Sequence, residues 1–234
     1  MSLSEFDNDY WVNFWRTSQI LDNSDPQMQI GRTINKIPIS EQNWELTLNF
    51  IENKLKIYKS DVILDLCAGN GLITLPISLK CKTVTAVDIS EPLLTRIDTK
   101  KNKNVTCILE DVRKITFEAE SFDKVILYFA LQHFNDQDVI DILEKVYLWL
   151  KPGGLFYIGD IPDIDKFFVY YNTQERIDSF IHSVKTNTRA IGTWFNKVML
   201  TYMASYAGYT KSEIVVQPTY MINYHYRFDI LITK

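Results

Sequence analysis

Long apolar runs are missing from these 234 residues: the longest, 125–131, falls far short of the roughly 18 residues that a membrane-spanning helix needs. The start of the chain is too acidic and polar for a signal peptide, so a soluble, cytoplasmic protein with no membrane span is expected. Cysteine is scarce and odd in number. Cys67, Cys81 and Cys107 show no C-x-x-C spacing, which excludes a disulfide framework and argues against a thiolate metal site. With 8 Gly, 7 Pro and no internal repeat, collagen-like and low-complexity architectures are excluded as well. There is no basic excess. Lys and Arg number 25 against 29 Asp and Glu, a net charge of -4, which disfavours a nucleic-acid partner.

What is present is a hydrophobic fraction of 46% and an aromatic fraction of 13%, enough for one substantial core. From position 62 onward, short β-branched runs alternate with stretches of helical period. Strands are expected at 62–67, 83–87, 105–109, 123–129 and 155–158. Helices are expected at 91–101 behind Ser90, and at 136–150 with Val139, Ile142, Leu143, Val146 and Leu150 on one face. Upstream, Ser40 is placed to cap a helix carrying Trp44, Leu48, Ile51 and Leu55. The tail, 213–216 and 224–233, reads as an antiparallel pair. The pattern predicts an α/β, Rossmann-like, doubly wound sheet, mostly parallel with a C-terminal antiparallel strand and helices on both faces. Residues 1–39, with Tyr10, Trp11, Phe14 and Trp15, read as an N-terminal lid on a domain spanning 40–234. An aromatic-rich insertion is expected at about 160–203.

The most informative stretch is V-I-L-D-L-C-A-G-N-G-L-I-T, 62–74. A buried strand ends near Asp65 and breaks into a turn at Gly69 and Gly71, where a ligand can touch backbone, and a helix from Leu72 would point free amides at it. A dinucleotide site would want a third glycine three residues on. Thr74 stands there, and Asp65 would repel a pyrophosphate. The second strand ends in Asp88, placed to accept both hydroxyls of a ribose, and the third leads to Asp111 beside the same crevice.

Three acids at three strand ends, with the glycine turn, resemble the class I S-adenosylmethionine-dependent methyltransferases over roughly residues 40–158. The resemblance implies S-adenosyl-L-methionine as cofactor, held by the loop Cys67, Ala68, Gly69 and Gly71. Asp65 would support that loop and the methionine amino group, and Asp88 would bind the ribose. Ile89 and Leu93 would flank the adenine, while Asp111 and the Val112 amide read its edge. F-D-K-V-I-L-Y-F-A-L-Q-H-F is similar to the family's fourth motif, which puts Phe129 near the methionine part, and L-K-P-G-G is similar to the turn before the fifth strand. One departure is Cys67, which stands where the family has its first loop glycine.

Arg32, in Q-I-G-R-T, could clamp the cofactor carboxylate through its fork of donors. If the methyl acceptor is a hydroxyl, a base is wanted, and His133, Asp160 and Asp163 are placed for it. The expected activity is methyl transfer to a small molecule, partly apolar or sugar-like, such as a glycan precursor, in a pocket built by the N-terminal segment and residues 160–190. The rival readings are a nicotinamide-dependent oxidoreductase and a non-catalytic regulator that binds S-adenosylmethionine.

Overall fold

The computed structural model describes residues 8–17, 25–34, 37–188 and 191–234. Its centre is a sheet of seven strands: β1 (Val62–Leu66), β2 (Thr83–Asp88), β3 (Val105–Leu109), β4 (Phe122–Tyr128), β5 (Leu150–Pro162), β6 (Lys211–Val215) and β7 (Arg227–Thr233). They lie in the order β3-β2-β1-β4-β5-β7-β6. The first five run parallel, and β7 lies antiparallel between β5 and β6. The doubly wound, mostly parallel sheet expected from the alternation is therefore present.

Side-chain alternation explains why both faces are covered. Leu64, Leu66, Val125, Leu127, Phe156 and Ile158 point into one apolar layer, which they share with α5 (Asp136–Trp149) and α7 (Lys197–Tyr206). Their neighbours Ile63, Ile126 and Tyr157 point into the other, against Leu48, Ile51 and Leu55 of α2 (Glu41–Leu55). Ser40 caps α2 by accepting from the Asn43 amide, as expected. Asn135 and Asp138 form a reciprocal capping box at the start of α5.

Chain order reverses between β1 and β4, so the connections leaving these two strands go to opposite sides and open a crevice at their C-terminal ends. Both strands stop one residue earlier than the apolar runs predict. Cys67 and Phe129 take left-handed backbone, φ 57° and 62°, and turn the chain over the crevice. β5 is longer than expected, continuing past a register shift to Pro162. The helix expected at 91–101 is a single turn, Glu91–Leu94, because the Asp98 carboxylate accepts from the amides of Lys100 and Lys101 and competes with helical bonding. The helix expected from Leu72 is α3, five residues long (Thr74–Ser78), and the single turn Glu91–Leu94 is α4.

The expected insertion at 160–203 begins as strand, then forms short turns, helix α6 (Gln174–Thr186) and the start of α7. Tyr171, Ile191, Trp194 and Tyr226 bury one another in a separate small cluster. At the other end of the described chain, α1 (Asn8–Thr17) packs Trp11 against His133, with ring centres 4.2 Å apart.

Replacing Asn135 with Ala removes one half of the α5 capping box. The expected cost is about 1 kcal/mol, seen as a loss of roughly 2–4 °C in Tm by differential scanning calorimetry.

Candidate functional site

The strand ends and the N-terminal segment enclose one pocket, and the residues singled out from the sequence fall on it unequally. Asp65, Cys67, Ala68, Gly69, Asp88, Ile89, Leu93, Asp111, Val112 and Phe129 all line it, as do Arg32 and His133. Gly71 and Asp160 do not. Gly71 is needed for packing: at φ 84°, a Cβ there would stand 2.8 Å from Ile97. Gly69 is the close approach, with φ 57° and room against Ile30 for little more than hydrogen.

The amides of the glycine loop are largely committed. Ala68 donates to the Val87 carbonyl, Gly71 to the Ala68 carbonyl, and Gly69 to the Asp88 carboxylate at 2.7 Å. With only a five-residue helix behind it, this loop offers no phosphate cradle. The expectation of free helical amides over the turn is corrected accordingly, and the dinucleotide reading loses its main support.

The pocket instead carries acids. Asp65 is 2% exposed and accepts from the Thr74 hydroxyl at 2.6 Å, which gives the residue in the third-glycine position a polar purpose. Burial pushes its carboxyl up to about 7, against the pull of Thr74 and with help from the Asp88 charge. Asp88 is raised by burial too, although the Ser90 and Gly69 amides hold its two oxygens. Asp111 differs from the expectation of a free edge-reading carboxylate. Arg113, two residues on, grips both of its oxygens, and this fork outweighs burial and holds the carboxyl below its usual range. Burial, then the carboxylates of Asp88, Asp111 and Asp65, push the Cys67 thiol well above its usual value, so it is no nucleophile.

Opposite the acids stands Arg32, 1% exposed, with its guanidinium 4.7 Å from the ring centres of both Trp44 and Tyr128. Nη2 reaches the Tyr128 hydroxyl at 3.5 Å, while Nε and Nη1 have no partner among the described residues. Burial works against its charge, but Tyr128, Asp160 and Asp229 more than compensate and raise its pKa. The segment carrying it is tied to the glycine loop by Asn70, whose amide donates to the Pro26 carbonyl and to Gln29.

The three candidate bases are corrected by their surroundings. His133 Nε2 accepts from Trp15 Nε1 at 3.4 Å, and burial with the nearby Arg227 charge takes its pKa down to about 3. Asp160 lies behind the pocket, where Gln217 and Asn223 donate to its two oxygens. Asp163 is 1% exposed and paired with Lys197. None is poised to take a proton from an acceptor. Among the described residues of the 160–190 stretch none lines the pocket, because Phe167, Tyr170, Tyr171 and Phe180 are spent on their own cluster. Trp44, Phe134 and Arg113 do line it and were not singled out: the tryptophan's helical spacing marks it as core, and only the D-V-R spacing hints at Arg113.

The methyltransferase domain profile matches residues 63–154, the part of the chain that supplies the acids, the glycine loop and Phe129. Over that stretch the chain carries a methyltransferase domain and is similar to S-adenosylmethionine-dependent methyltransferases. It is 27% identical over 165 residues to chondramide synthase of Chondromyces crocatus, covering 68% of this chain and 4% of that protein. It is 29% identical over 111 residues to phosphoethanolamine N-methyltransferase 1 of Triticum aestivum, covering 45% of this chain and 22% of that one. The chain thus spans less than a quarter of the length of either relative. The fold is shared with a Leishmania major S-adenosylmethionine-dependent methyltransferase, with a TM-score of 0.66 at 12% identity over 97% of this chain and 82% of that one. The cofactor of such enzymes fits the pocket on the chemistry of its lining. Among the described residues Arg32's Nε and Nη1 have no partner and suit a carboxylate, buried Asp65 has no cation beside it, and Asp88 stands beside the glycine loop.

A carboxyl whose folded pKa is about 7, against an ordinary 3.8, holds a proton that the unfolded chain has lost, so stability falls as pH rises from about 4 to 7. Asp229, raised to about 6, adds to the same slope. Urea unfolding between pH 4.5 and 8 is expected to show this decline. Asp65→Asn should flatten its upper part.

Proposed function

We propose that this protein binds S-adenosyl-L-methionine and transfers its methyl group to a small molecule. The observation that carries the reading is the pairing, in one pocket, of a buried guanidinium with two nitrogens unpartnered among the described residues and a buried carboxyl with no cation beside it among them. An amino-acid end group supplies both missing partners. In this reading Arg32 takes the cofactor carboxylate and Asp65 its ammonium. Asp88 takes the ribose hydroxyls with the lone pairs its amide partners leave free. Ile89 and Leu93 flank the adenine, near the Val112 amide and the Asp111–Arg113 pair. Cys67, Ala68 and Gly69 shape the loop beneath, and Phe129 borders the reacting end. The bound group supplies an electrophilic methyl carbon, while the protein aligns the acceptor and excludes water.

Residues 1–39 act in this proposal as a lid: Trp11 and Trp15 of α1, with Arg32, roof the pocket that the domain from residue 40 onward floors. A small-molecule acceptor is supported by a concave pocket lined largely by apolar side chains and the absence of a basic excess. A sugar or glycan precursor could stack on the tryptophans, but Arg32, Tyr128 and His133 are the only ionisable side chains on that wall among the described residues. No described helix is long and apolar enough to cross a membrane. Three unpaired cysteines support a reducing, cytoplasmic setting.

Calorimetric titration with S-adenosylhomocysteine tests the cofactor site. Asp88→Ala and Arg32→Met should each weaken binding by about 1.5–3 kcal/mol while circular dichroism stays native. Binding of NADH in preference to S-adenosylhomocysteine would restore the oxidoreductase reading. Tight S-adenosylhomocysteine binding without turnover on any acceptor would favour the regulator.

A further inference from the structure

The acceptor side of the pocket is an aromatic wall: Trp11, Trp15, Phe129 and Phe134, with Trp44 and Tyr128 behind Arg32. Among the described residues, its ionisable side chains are Arg32, Tyr128 and His133; the four acids of the pocket, Asp65, Asp88, Glu110 and Asp111, belong to strand ends at the cofactor end. This wall already holds cations. Arg32 sits over Trp44 and Tyr128, and Arg227 lies 5.0 Å from the Phe129 ring centre.

The wall also lacks a base. Trp15 donates to His133 Nε2, so the neutral ring must carry its proton on Nδ1, which makes His133 a donor. Burial raises the Tyr128 hydroxyl far above its ordinary value, and Arg32 already donates to its oxygen. An alcohol placed here would have nothing to remove its proton. An anionic nucleophile would meet the negative faces of the rings. A neutral nucleophile that becomes a cation meets neither obstacle.

Resting on the methyltransferase reading, we propose that the acceptor is an amine carried on an apolar or aromatic small molecule, and that it is attacked through its uncharged nitrogen against the Trp11, Trp15 and Phe129 wall. In the transfer step the nitrogen lone pair forms the new N–C bond as the S–C bond of the donor breaks. The S–C electron pair remains on sulfur as a neutral thioether, and the positive charge passes to nitrogen. The charge is moved and not quenched, so it stays among aromatic rings throughout. The extra proton on nitrogen leaves to water when the product departs.

The test uses the whole chain with methyl-labelled S-adenosylmethionine against two matched sets of probes, 2-arylethylamines and the corresponding 2-arylethanols. The expected result is incorporation into amines at least a hundredfold above the alcohols. Below the amine's own pKa, kcat/KM should rise about tenfold per pH unit, with a midpoint that moves when amines of lower pKa are used. The groups facing His133, namely Trp11, Trp15 and the Arg227 charge, give no ionisation in this range. In His133→Asn the midpoint should therefore still track the amine. Comparable transfer to alcohols, a midpoint fixed whatever the acceptor, or no transfer to any amine while S-adenosylhomocysteine still binds would each overturn the inference and leave the cofactor reading standing. Failure to bind S-adenosylhomocysteine would overturn the cofactor reading itself.

Discussion

A guanidinium that is 1% exposed must find its counter-charge inside the protein, and the way Arg32 does so organises the molecule. It lies between the rings of Trp44, from α2, and Tyr128, from the end of β4. Behind it, Asp160 and Asp229 supply negative charge from β5 and β7. Those two acids are held in turn by Tyr157, Gln217 and Asn223, and Asp229 also accepts from the Asp160 amide. The N-terminal segment, the central strands and the antiparallel C-terminal strand are thereby joined through one buried electrostatic network. The terminal strand pair is part of the site's support even though it never reaches the pocket.

This network gives the pocket two chemically opposite ends. Beside the glycine loop are carboxyls made costly by burial, with Asp111 neutralised by its own arginine. Across from them are the Arg32 guanidinium, with donors unpartnered among the described residues, and a surround of aromatic rings. Such a chamber complements a molecule carrying an ammonium, a carboxylate and a sugar at fixed separations, and it disfavours a pyrophosphate, for which the loop has few amides to spare. The same division leaves the acceptor side apolar.

Context also changes what individual residues can do. A histidine at the end of a strand near a cofactor is a natural base in isolation, but one tryptophan N–H on Nε2, together with burial, turns His133 into a donor. Asp160 ends a run with catalytic promise, yet its left-handed backbone, φ 59°, turns it toward Gln217 and Asn223. Thr74 reads as a missing glycine and becomes the hydroxyl that positions Asp65.

The mostly parallel, doubly wound sheet and the pocket-lining residues Asp65, Gly69, Asp88, Ile89, Leu93 and Val112 were legible in the sequence. Strand alternation is a local property with period two, and the acids follow the strands at fixed spacing. Strand ends, the truncated helix after Ser90 and the packing purpose of Gly71 were not, because each depends on a partner distant in sequence or on a local side-chain bond. The aromatics after Pro162 were visible as a cluster, but whether they would face a ligand or one another was set by how β5, α6 and β7 come together. The sequence by itself determined the fold and the acidic half of the site. Only the tertiary structure decided how Arg32 is held opposite those acids and that His133 cannot accept a proton, since burial and electrostatic pairing arise between segments more than ninety residues apart.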